Sequence, residues 1–325
     1  MIITQTPLRI SFAGGASDLP DFYTKHGGAV ISTAIDKYVF VIVKERFDKM
    51  IYLNWMKKEI VESVDQIKHE LIREAMKKTG VLKGVEITTL SDIPAEGSGL
   101  GSSSSITVGL LQALYLHRGI IVDAERLANE ASEIEINILG KPIGKQDQYI
   151  AAYGGLNHFE FKSNHDVVVT APKVNSDFIY ELGLHLMLFF TGKTRKSAEI
   201  LSKQKKKIVE TEKILKRLRD QSFEVLDAFN KGNLKFLGEA LDEGWQLKKQ
   251  LAKGISSPDI NNMYNLAKKA GALGGKISGA GGRGFLLLFV PLGKQDKIRK
   301  ALWDYREMKF NLERDGSKSI FNIRR

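Results

Sequence analysis

The sequence predicts an α+β protein with two domains. At 325 residues the chain has the length of about two domains, and its 43% hydrophobic content is ordinary for a globular protein with a sizeable core. Predicted strands and helices follow one another in a mixed order, without the regular βα alternation of a doubly wound sheet. A change in composition near residues 171–172 divides the chain into an N-terminal domain, 1–170, and a C-terminal domain, 171–325.

Composition narrows the functional classes. The chain has no cysteine, which excludes disulfides and thiolate chemistry, and its six histidines show no metal-binding spacing. It carries no signal peptide and no apolar run of the roughly 18 residues that suggest a membrane helix. We therefore expect a cytoplasmic protein without a membrane partner.

A net charge of +11 is also found in proteins that bind nucleic acid, so this function has to be considered. Much of the positive charge lies in residues 193–219, where apolar residues also recur at helical spacing and no aromatic residue is interleaved for base stacking. The stretch is more typical of the solvated basic face of an amphipathic helix, so we expect no nucleic-acid partner. A basic protein is also suited to small anions.

The N-terminal half begins with a strand and a tight turn. Asp18 can cap a short helix whose first turn contains Pro20. Strands are predicted from runs of alternating or β-branched residues, and helices from apolar residues at helical spacing. The predicted elements are strand 2–12, turn 13–18, helix from 18, strands 27–32, 37–43 and 50–55, helix 64–79, and strand 85–90.

Helices dominate the rest of the chain. Asp123 is a cap for a helix to about residue 139, which Gly140-Lys-Pro ends. A short helix at 146–152 stops at Gly154-Gly155 and is followed by a hairpin. The further predicted elements are hairpin strands 156–161 and 167–170, strand 184–190, helices within 195–252 and at 259–270, strands 273–278 and 285–290, helix 294–303, and strands 308–312 and 319–323.

The stretch Ile93-Pro-Ala-Glu-Gly-Ser-Gly-Leu-Gly-Ser-Ser-Ser-Ser105 lies between a predicted strand and a predicted helix. Gly97, Gly99 and Gly101 lack a Cβ, so the backbone can curl and approach a ligand closely. Its N–H groups and the positive end of the helix dipole can then bind an anion. The four serines add hydroxyls for capping, phosphate or Mg²⁺. This pattern predicts a nucleotide triphosphate site.

Two other phosphate motifs are excluded. A Walker A loop needs a lysine after its last glycine, but Gly101 is followed by Ser102, and Gly192-Lys-Thr lacks the required earlier glycine. A dinucleotide-type glycine pattern occurs at residues 279–284, but a strand follows it instead of a helix. A plain Gly/Ser linker is disfavoured at 93–105 because linkers do not sit tightly between an apolar strand and an apolar helix.

Three motifs, in this order, resemble those of the GHMP kinase superfamily. They are Pro7-Leu-Arg-Ile-Ser-Phe-Ala-Gly-Gly15, Pro94 to Ser105 with its Gly-Ser-Gly-Leu-Gly core, and Lys276-Ile-Ser-Gly-Ala-Gly-Gly282. The resemblance spans the chain. It implies a two-domain fold, with an N-terminal domain like ribosomal protein S5 domain 2 and a ferredoxin-like C-terminal domain, and it implies ATP and Mg²⁺ as cofactors.

Within the superfamily, Gly14-Gly-Ala-Ser-Asp18 and Gly140-Lys-Pro-Ile-Gly-Lys-Gln-Asp147 look like the branch that acts on D-glycero-D-manno-heptose 7-phosphate. That branch uses ATP to phosphorylate the anomeric hydroxyl, and the 1,7-bisphosphate feeds the synthesis of nucleotide-activated heptose. The implied partners are therefore ATP and a sugar phosphate. A homodimer is left open.

The resemblance assigns two residues to catalysis. Asp147 matches the family's catalytic aspartate, which would orient the sugar hydroxyl and accept its proton. Arg9 lies in the first motif and could keep that carboxylate ionised or stabilise the transferring phosphoryl group. The alternatives are a carboxylate that serves a helix dipole and an arginine in a surface ion pair.

The nucleotide and metal would share the second motif. Ser103 matches the family's metal-binding serine, and Glu135 matches its metal-binding glutamate, with Glu133 as the rival. Each glutamate could instead be a solvated helix-face carboxylate. The residues implied to bind ATP are Pro94, Glu96, Gly97, Ser98, Gly99, Leu100, Gly101, Ser102, Ser103 and Ser104.

The sugar would lie between the first and third motifs. Asp18 would accept hydrogen bonds from sugar hydroxyls, unless it serves only as a helix cap. Arg195, assisted by Lys193, would bind the substrate's own phosphate, unless both belong to the basic helix face. Arg283 departs from the family's glycine, so it must avoid positive φ and either points to solvent or adds a cation. The remaining implied substrate-binding residues are Gly14, Gly15, Ser17, Gly279, Ala280 and Gly281.

Two other functions remain open from the sequence. The first is a GHMP kinase for an unphosphorylated sugar, such as a fucose- or galactose-like one, for which Arg195 would have no phosphate to hold. The second is a non-catalytic binding protein on the same fold. The presence of Ser103, Glu135 and Asp147 argues against lost catalysis.

Overall fold

Two β-sheets carry the fold in the computed structural model, which describes residues 1–93, 97–192 and 198–323. The larger sheet has nine strands and the smaller has three among these residues. The strands of the larger sheet are β1 (Ile2–Ala13), β2 (Gly28–Glu45), β3 (Ile51–Asn54), β4 (Lys58–Val61), β5 (Val85–Ser91), β6 (Leu156–Phe161), β7 (Val167–Thr170), β11 (Leu312–Glu313) and β12 (Lys318–Asn322). Those of the smaller sheet are β8 (Leu186–Phe190), β9 (Gly274–Ile277) and β10 (Phe285–Phe289).

Strand β2 is the centre of the larger sheet. The main strand order is β12-β1-β2-β5-β3-β4, and β2 also pairs with β6 and β11. The sequence predicted two separate runs at 27–32 and 37–43, and that separation is wrong. The residues between them stay paired with β1, through Ile35 opposite Leu8 and Ala34 opposite Arg9, so the strand continues through both.

Helices cover the sheets. They are α1 (Pro20–His26), α2 (Glu70–Thr79), α3 (Ser102–His117), α4 (Ala124–Ser132), α5 (Gln146–Tyr153), α6 (Ser176–Leu184), α7 (Ala198–Lys206), α8 (Glu212–Asn230), α9 (Phe236–Lys248), α10 (Pro258–Ala270) and α11 (Gln295–Ala301). Helix α3 packs on β1 and β2 and is buried along most of its length. This mixed arrangement confirms the predicted α+β class.

Several predicted helix boundaries differ from the observed ones. The helix predicted from residue 64 begins at Glu70, because Ser63 and Gln66 close a capping box around a separate 3₁₀ turn, Val64–Gln66. The helix predicted to residue 139 is α-helical only to Ser132 and continues as a π-helical segment, Glu133–Ile138. Helix α6 and strand β4 had no counterpart in the sequence-based prediction.

The two ends of the chain meet in the larger sheet. Strand β12 pairs with β1 and strand β11 pairs with β2, both antiparallel. The smaller sheet has the order β8-β10-β9 and packs against α9. The division at residue 170 stays a prediction, since β11 and β12 lie beyond it in the chain yet belong to the larger sheet. Among the described residues, no helix is both long and apolar enough to cross a membrane.

Candidate active site

The glycine-rich loop leads directly into α3, as the sequence predicted. Gly97, Gly99 and Gly101 have φ angles of 75°, 75° and 84°, which strongly favour glycine. Helix α3 begins at Ser102, so its free N–H groups face the end of the loop. Pro94 and Glu96, which the sequence implied as nucleotide ligands, lie outside the described residues.

The third glycine-rich loop, residues 279–282, touches the second one. A Cβ on Gly99 would lie 2.5 Å from the Ser278 carbonyl oxygen, and a Cβ on Gly279 would lie 2.6 Å from the Gly99 Cα. A Cβ on Gly284 would lie 2.4 Å from the Ser98 carbonyl oxygen. These contacts leave no space for side chains, so the glycines let two backbones meet around one anion-binding region. Arg283 is exposed and is not among the residues with positive φ.

Arg9 and Asp147 form a forked ion pair between β1 and α5. Arg9 Nε donates to Asp147 Oδ1 at 2.8 Å, and Arg9 Nη2 donates to Oδ2 at 2.7 Å. The third guanidinium nitrogen, Nη1, donates to the Gly99 carbonyl at 2.6 Å. The arginine side chain is 5% exposed and the aspartate 25%, so the carboxylate remains accessible from the cavity. The surface ion pair considered for Arg9 is thereby excluded.

Ser103 and Glu135 lie side by side. Ser103 Oγ donates to Glu135 Oε2 at 2.7 Å, and Gln148 Nε2 donates to Glu135 Oε1 at 2.9 Å. The glutamate is fully buried in the π-helical segment. Glu133 points elsewhere and pairs with Lys78 at 2.6 Å, with its side chain 45% exposed. The geometry therefore favours Glu135 over its rival as a metal ligand.

A lysine that the sequence reasoning missed sits beside this pair. Lys141 Nζ is 3.4 Å from Ser103 Oγ, 3.5 Å from Glu135 Oε2 and 3.2 Å from Glu70 Oε1. Among the described residues, no group of three or more histidine, aspartate or glutamate side chains could hold a metal ion. Hard oxygens from Ser103 and Glu135 suit Mg²⁺, with phosphate and water oxygens completing its shell. The donor set thus fits a nucleotide-borne Mg²⁺ with few protein ligands.

Asp18 lies in the wall of the cavity beside the first motif and is buried at 3% exposure. Its carboxylate accepts hydrogen bonds from the main-chain N–H of Ala16 at 3.2 Å and of Gln146 at 3.1 Å. Gly144 is required here, because a Cβ would lie 2.0 Å from Asp18 Oδ2. Ala16 itself has a φ of 79°, an uncommon conformation for a residue with a Cβ. The first motif is therefore shaped to hold Asp18 against the start of α5.

Not every residue assigned to the substrate faces the cavity. Ser17 is fully buried, and its hydroxyl donates to the Ala29 carbonyl at 2.9 Å and accepts from the Ala29 N–H at 3.0 Å. A Cβ on Gly14 would lie 1.9 Å from that same carbonyl oxygen. Gly14 and Ser17 therefore hold the first motif against β2. Leu100, which is buried in the core, and Gly281 do not line the cavity either, whereas Lys193 and Arg195 are outside the described residues.

One cavity of about 450 Å³ joins these groups. It runs from the N-terminus of α3 to the first motif and includes both aspartates. Lys248 and Lys276, which the sequence reasoning did not assign, lie in its wall. The predicted residues that line it are Arg9, Gly15, Asp18, Gly97, Ser98, Gly99, Gly101, Ser102, Ser103, Ser104, Glu135, Asp147, Gly279 and Ala280.

Burial, followed by the negative charge of Asp147, raises the pKa of Asp18 from 3.8 to about 6. The folded protein therefore holds a proton that the unfolded chain has released between these two pH values. The contribution of Asp18 to stability is present below 3.8 and is lost as the pH rises through about 6.

Replacing Asp18 by asparagine removes this titration. We expect the free energy of unfolding of the wild type, relative to Asp18→Asn, to fall by about 1.4 kcal/mol between pH 5 and pH 7.5. Urea unfolding of both proteins at the two pH values measures the difference. A constant difference, or one of opposite sign, would contradict this account of the buried carboxylate.

Comparison with known proteins agrees with this geometry. The GHMP kinases N terminal domain model matches residues 65–155, and the GHMP kinases C terminal model matches residues 225–305. A D-glycero-alpha-D-manno-heptose 7-phosphate kinase from Campylobacter jejuni is 30% identical over 318 residues, which cover 93% of each chain. A galactokinase from Pyrococcus furiosus is 26% identical over 345 residues, covering 93% of this chain and 92% of that protein.

Solved structures agree as well. The crystal structure described as a D-glycero-D-manno-heptose 1-phosphate kinase from Bacteroides thetaiotaomicron superposes with a TM-score of 0.83 at 27% identity, covering all of both chains. Together with the motif order, the two touching glycine-rich loops and the Arg9–Asp147 pair, these similarities identify the fold and its chemistry. The chain belongs to the GHMP kinase family and is an ATP-dependent sugar kinase.

Proposed function

We propose that this kinase transfers the γ-phosphoryl group of ATP to the anomeric C1 hydroxyl of D-glycero-D-manno-heptose 7-phosphate, giving the 1,7-bisphosphate. The observation that carries the proposal is the position of Asp147. Its carboxylate is fixed by Arg9 where the phosphate-binding loop meets the first motif. The similarity to a heptose 7-phosphate kinase over 93% of the chain supports the choice of sugar.

The reaction needs positioning and charge stabilisation more than covalent chemistry. Asp147 would accept a hydrogen bond from the C1 hydroxyl and take its proton as the oxygen attacks the γ-phosphorus. The bond from that phosphorus to the β,γ-bridging oxygen breaks, and ADP leaves. Arg9 holds the carboxylate in one orientation through two parallel bonds, so the base does not have to be ordered during the reaction.

Asp18 would fix the sugar itself. Two main-chain N–H groups and, at 3.5 Å, the side-chain amide of Gln146 donate to its carboxylate, which also lines the cavity. A carboxylate has about four lone-pair sites, so it would still have room to accept a sugar hydroxyl. Because the side chain is buried, water competes little for a hydrogen bond that a sugar hydroxyl forms with it. Such an acceptor discriminates in favour of substrates that present a hydroxyl at the matching position.

Ser103 and Glu135 would hold Mg²⁺, whose chemistry there is to neutralise charge on the nucleotide phosphates. Gln148 donates to one glutamate oxygen, and the other, Oε2, lies 2.7 Å from the serine oxygen, so both oxygens would be available to one cation. Lys141 lies close enough to turn its ammonium from Glu135 to a phosphate oxygen. These groups surround the N-terminus of α3, the natural place for the nucleotide phosphates.

The phosphate that the sugar already carries would need cationic ligands of its own. Its ligands were expected to be Arg195 and Lys193, which lie outside the described residues. The names of the similar proteins include both a heptose 7-phosphate kinase and a heptose 1-phosphate kinase. The position of the acceptor hydroxyl and the need for a prior phosphate are therefore the points to test.

A coupled ATP-turnover assay with a panel of sugars, each with and without a terminal phosphate, tests the substrate. We expect turnover on heptose 7-phosphate, and a loss of about 1,000-fold in kcat in Asp147→Asn because the amide cannot accept the proton. Asp166→Asn, an exposed aspartate, serves as the matched control and keeps full activity. Turnover on free sugars alone would transfer the function to an unphosphorylated sugar, and turnover that is independent of Asp147 would remove it as the base.

Glu135 and Glu133 provide a matched test and control for the proposed metal site. Glu135→Gln removes a charged oxygen ligand beside Ser103, so we expect the Mg²⁺ concentration for half-maximal activity to rise at least tenfold. We also expect the variant to bind a non-hydrolysable ATP analogue with little dependence on Mg²⁺ in calorimetry. Glu133→Gln, which alters only the ion pair with Lys78, should leave both quantities unchanged. Equal effects of the two substitutions would refute the choice of Glu135.

A further inference from the structure

Two lysines in the cavity wall are buried. Lys248 ends α9 and Lys276 lies in β9, and each is 7% exposed. Lys276 Nζ donates to the Phe12 carbonyl at 3.3 Å. Lys248 Nζ donates to the Ile277 carbonyl at 3.3 Å and to the Gly279 carbonyl. Within the described residues, neither forms an ion pair with a carboxylate.

Burying an ammonium group in this way is costly, since carbonyl dipoles replace only part of its hydration. Burial, together with the charge of Arg9, lowers the pKa of Lys248 to about 8. Burial lowers the pKa of Lys276 well below its usual value, with the charges of Lys248 and Arg9 adding to the effect. Asp18 and Asp147 act in the opposite direction on Lys248, and Asp18 does so on Lys276, but they do not offset burial.

The two lysines lie beside backbone that is suited to binding a phosphoryl group. Both face the cavity that contains the N-terminus of α3, and Lys248 is bonded to the third glycine-rich loop where it touches Gly99. Arg9 is close enough to influence both, but its fork is occupied by Asp147. The cavity therefore has two buried amino groups that form no ion pair with a carboxylate in the part of the chain that the structure describes, and they lie beside a loop suited to phosphate.

We propose that Lys248 and Lys276 together form an anion site that binds the oxygens of a phosphoryl group in the substrate complex. The inference rests on the proposed function for the identity of that group, which has two possible sources. It is either the phosphoryl group transferred from ATP or the phosphate that the sugar already carries. In both cases a bound anion favours the charged form of each lysine, so binding draws protons from solvent.

Proton uptake gives a direct test. At pH 8.5 the phosphate monoester and Asp18 are both fully ionised, so the two lysines are the buried cavity groups expected to gain protons. Calorimetric titration in two buffers of different ionisation enthalpy measures the number of protons bound. The three ligands are heptose 7-phosphate, unphosphorylated heptose, and a non-hydrolysable ATP analogue with Mg²⁺.

We expect proton uptake with at least one phosphorylated ligand and none with unphosphorylated heptose. Uptake with heptose 7-phosphate assigns the site to the sugar's phosphate, and uptake with the ATP analogue assigns it to the transferred group. Lys248→Met and Lys276→Met should abolish this uptake and lower kcat/KM by about 100-fold. Lys253→Met, at an exposed lysine of the same region, should behave as the wild type. Absence of uptake in the wild type with both phosphorylated ligands would overturn the proposal.

A purely structural role for the lysines makes the opposite prediction. If they only tie the first and third motifs together, the methionine variants would lower the thermal unfolding midpoint and leave proton uptake unchanged. An anion site predicts loss of the proton uptake in these variants, whatever the unfolding midpoint of the free proteins. Lys248→Gln is a second variant for the case that Lys248→Met does not fold. Its side-chain amide can still donate a hydrogen bond to the Gly279 carbonyl. Unaltered uptake and turnover in Lys248→Gln would show that the charge is not needed and would overturn the proposal.

Failure of this inference is separable from failure of the proposed function. Wild-type turnover on heptose 7-phosphate, with lysine variants that bind and turn over normally, would end the inference and leave the substrate assignment intact. If the wild type instead fails on heptose 7-phosphate, the substrate assignment ends. The arm with the ATP analogue still tests the lysine site in that case.

Discussion

The forked pair between Arg9 and Asp147 is the interaction on which the site depends. It joins β1 to α5, and the same arginine holds the second glycine-rich loop through the Gly99 carbonyl, while its main-chain N–H binds the Leu100 carbonyl. One residue therefore sets the distance between the glycine-rich loop and Asp147, the proposed base. Because the arginine is buried, removing its partner would leave an uncompensated charge, so the pair is retained or lost as a unit.

Backbone contact is the second constraint. The second and third glycine-rich loops touch at Gly99 and Gly279, and Gly144 makes room for the Asp18 carboxylate. At each of these glycines, neighbouring atoms occupy the space that a Cβ would need. The result is a cavity whose charge comes from a few fixed groups, the carboxylates of Asp18, Glu135 and Asp147 and the cationic or amino groups of Arg9, Lys141, Lys248 and Lys276. Opposite charges held in fixed positions suit phosphoryl transfer, which depends on positioning and charge stabilisation.

The sequence predicted what depends on local order and missed what depends on distant contacts. The strand, glycine loop and helix around residues 85–117 follow from spacing and turn chemistry, and the predicted α+β class is confirmed. The resemblance pointed to Glu135 with Glu133 as the rival, and the structure adds the difference between them: both lie in one π-helical segment, but only Glu135 is directed to Ser103. Lys141 and Lys276 lie within motifs that the sequence showed, and Lys248 lies in none, but in all three cases the sequence did not reveal that the side chain faces a cavity.

The central claim is that Asp147 activates the C1 hydroxyl of a sugar that already carries a phosphate. Phosphorus NMR of the product made from ATP and heptose 7-phosphate tests this claim most directly, because it reports the position of the new phosphate. The account predicts a second phosphate on the anomeric carbon with the wild type and none with Asp147→Asn. A new phosphate at another hydroxyl, or the same product from the Asp147→Asn variant, would contradict it.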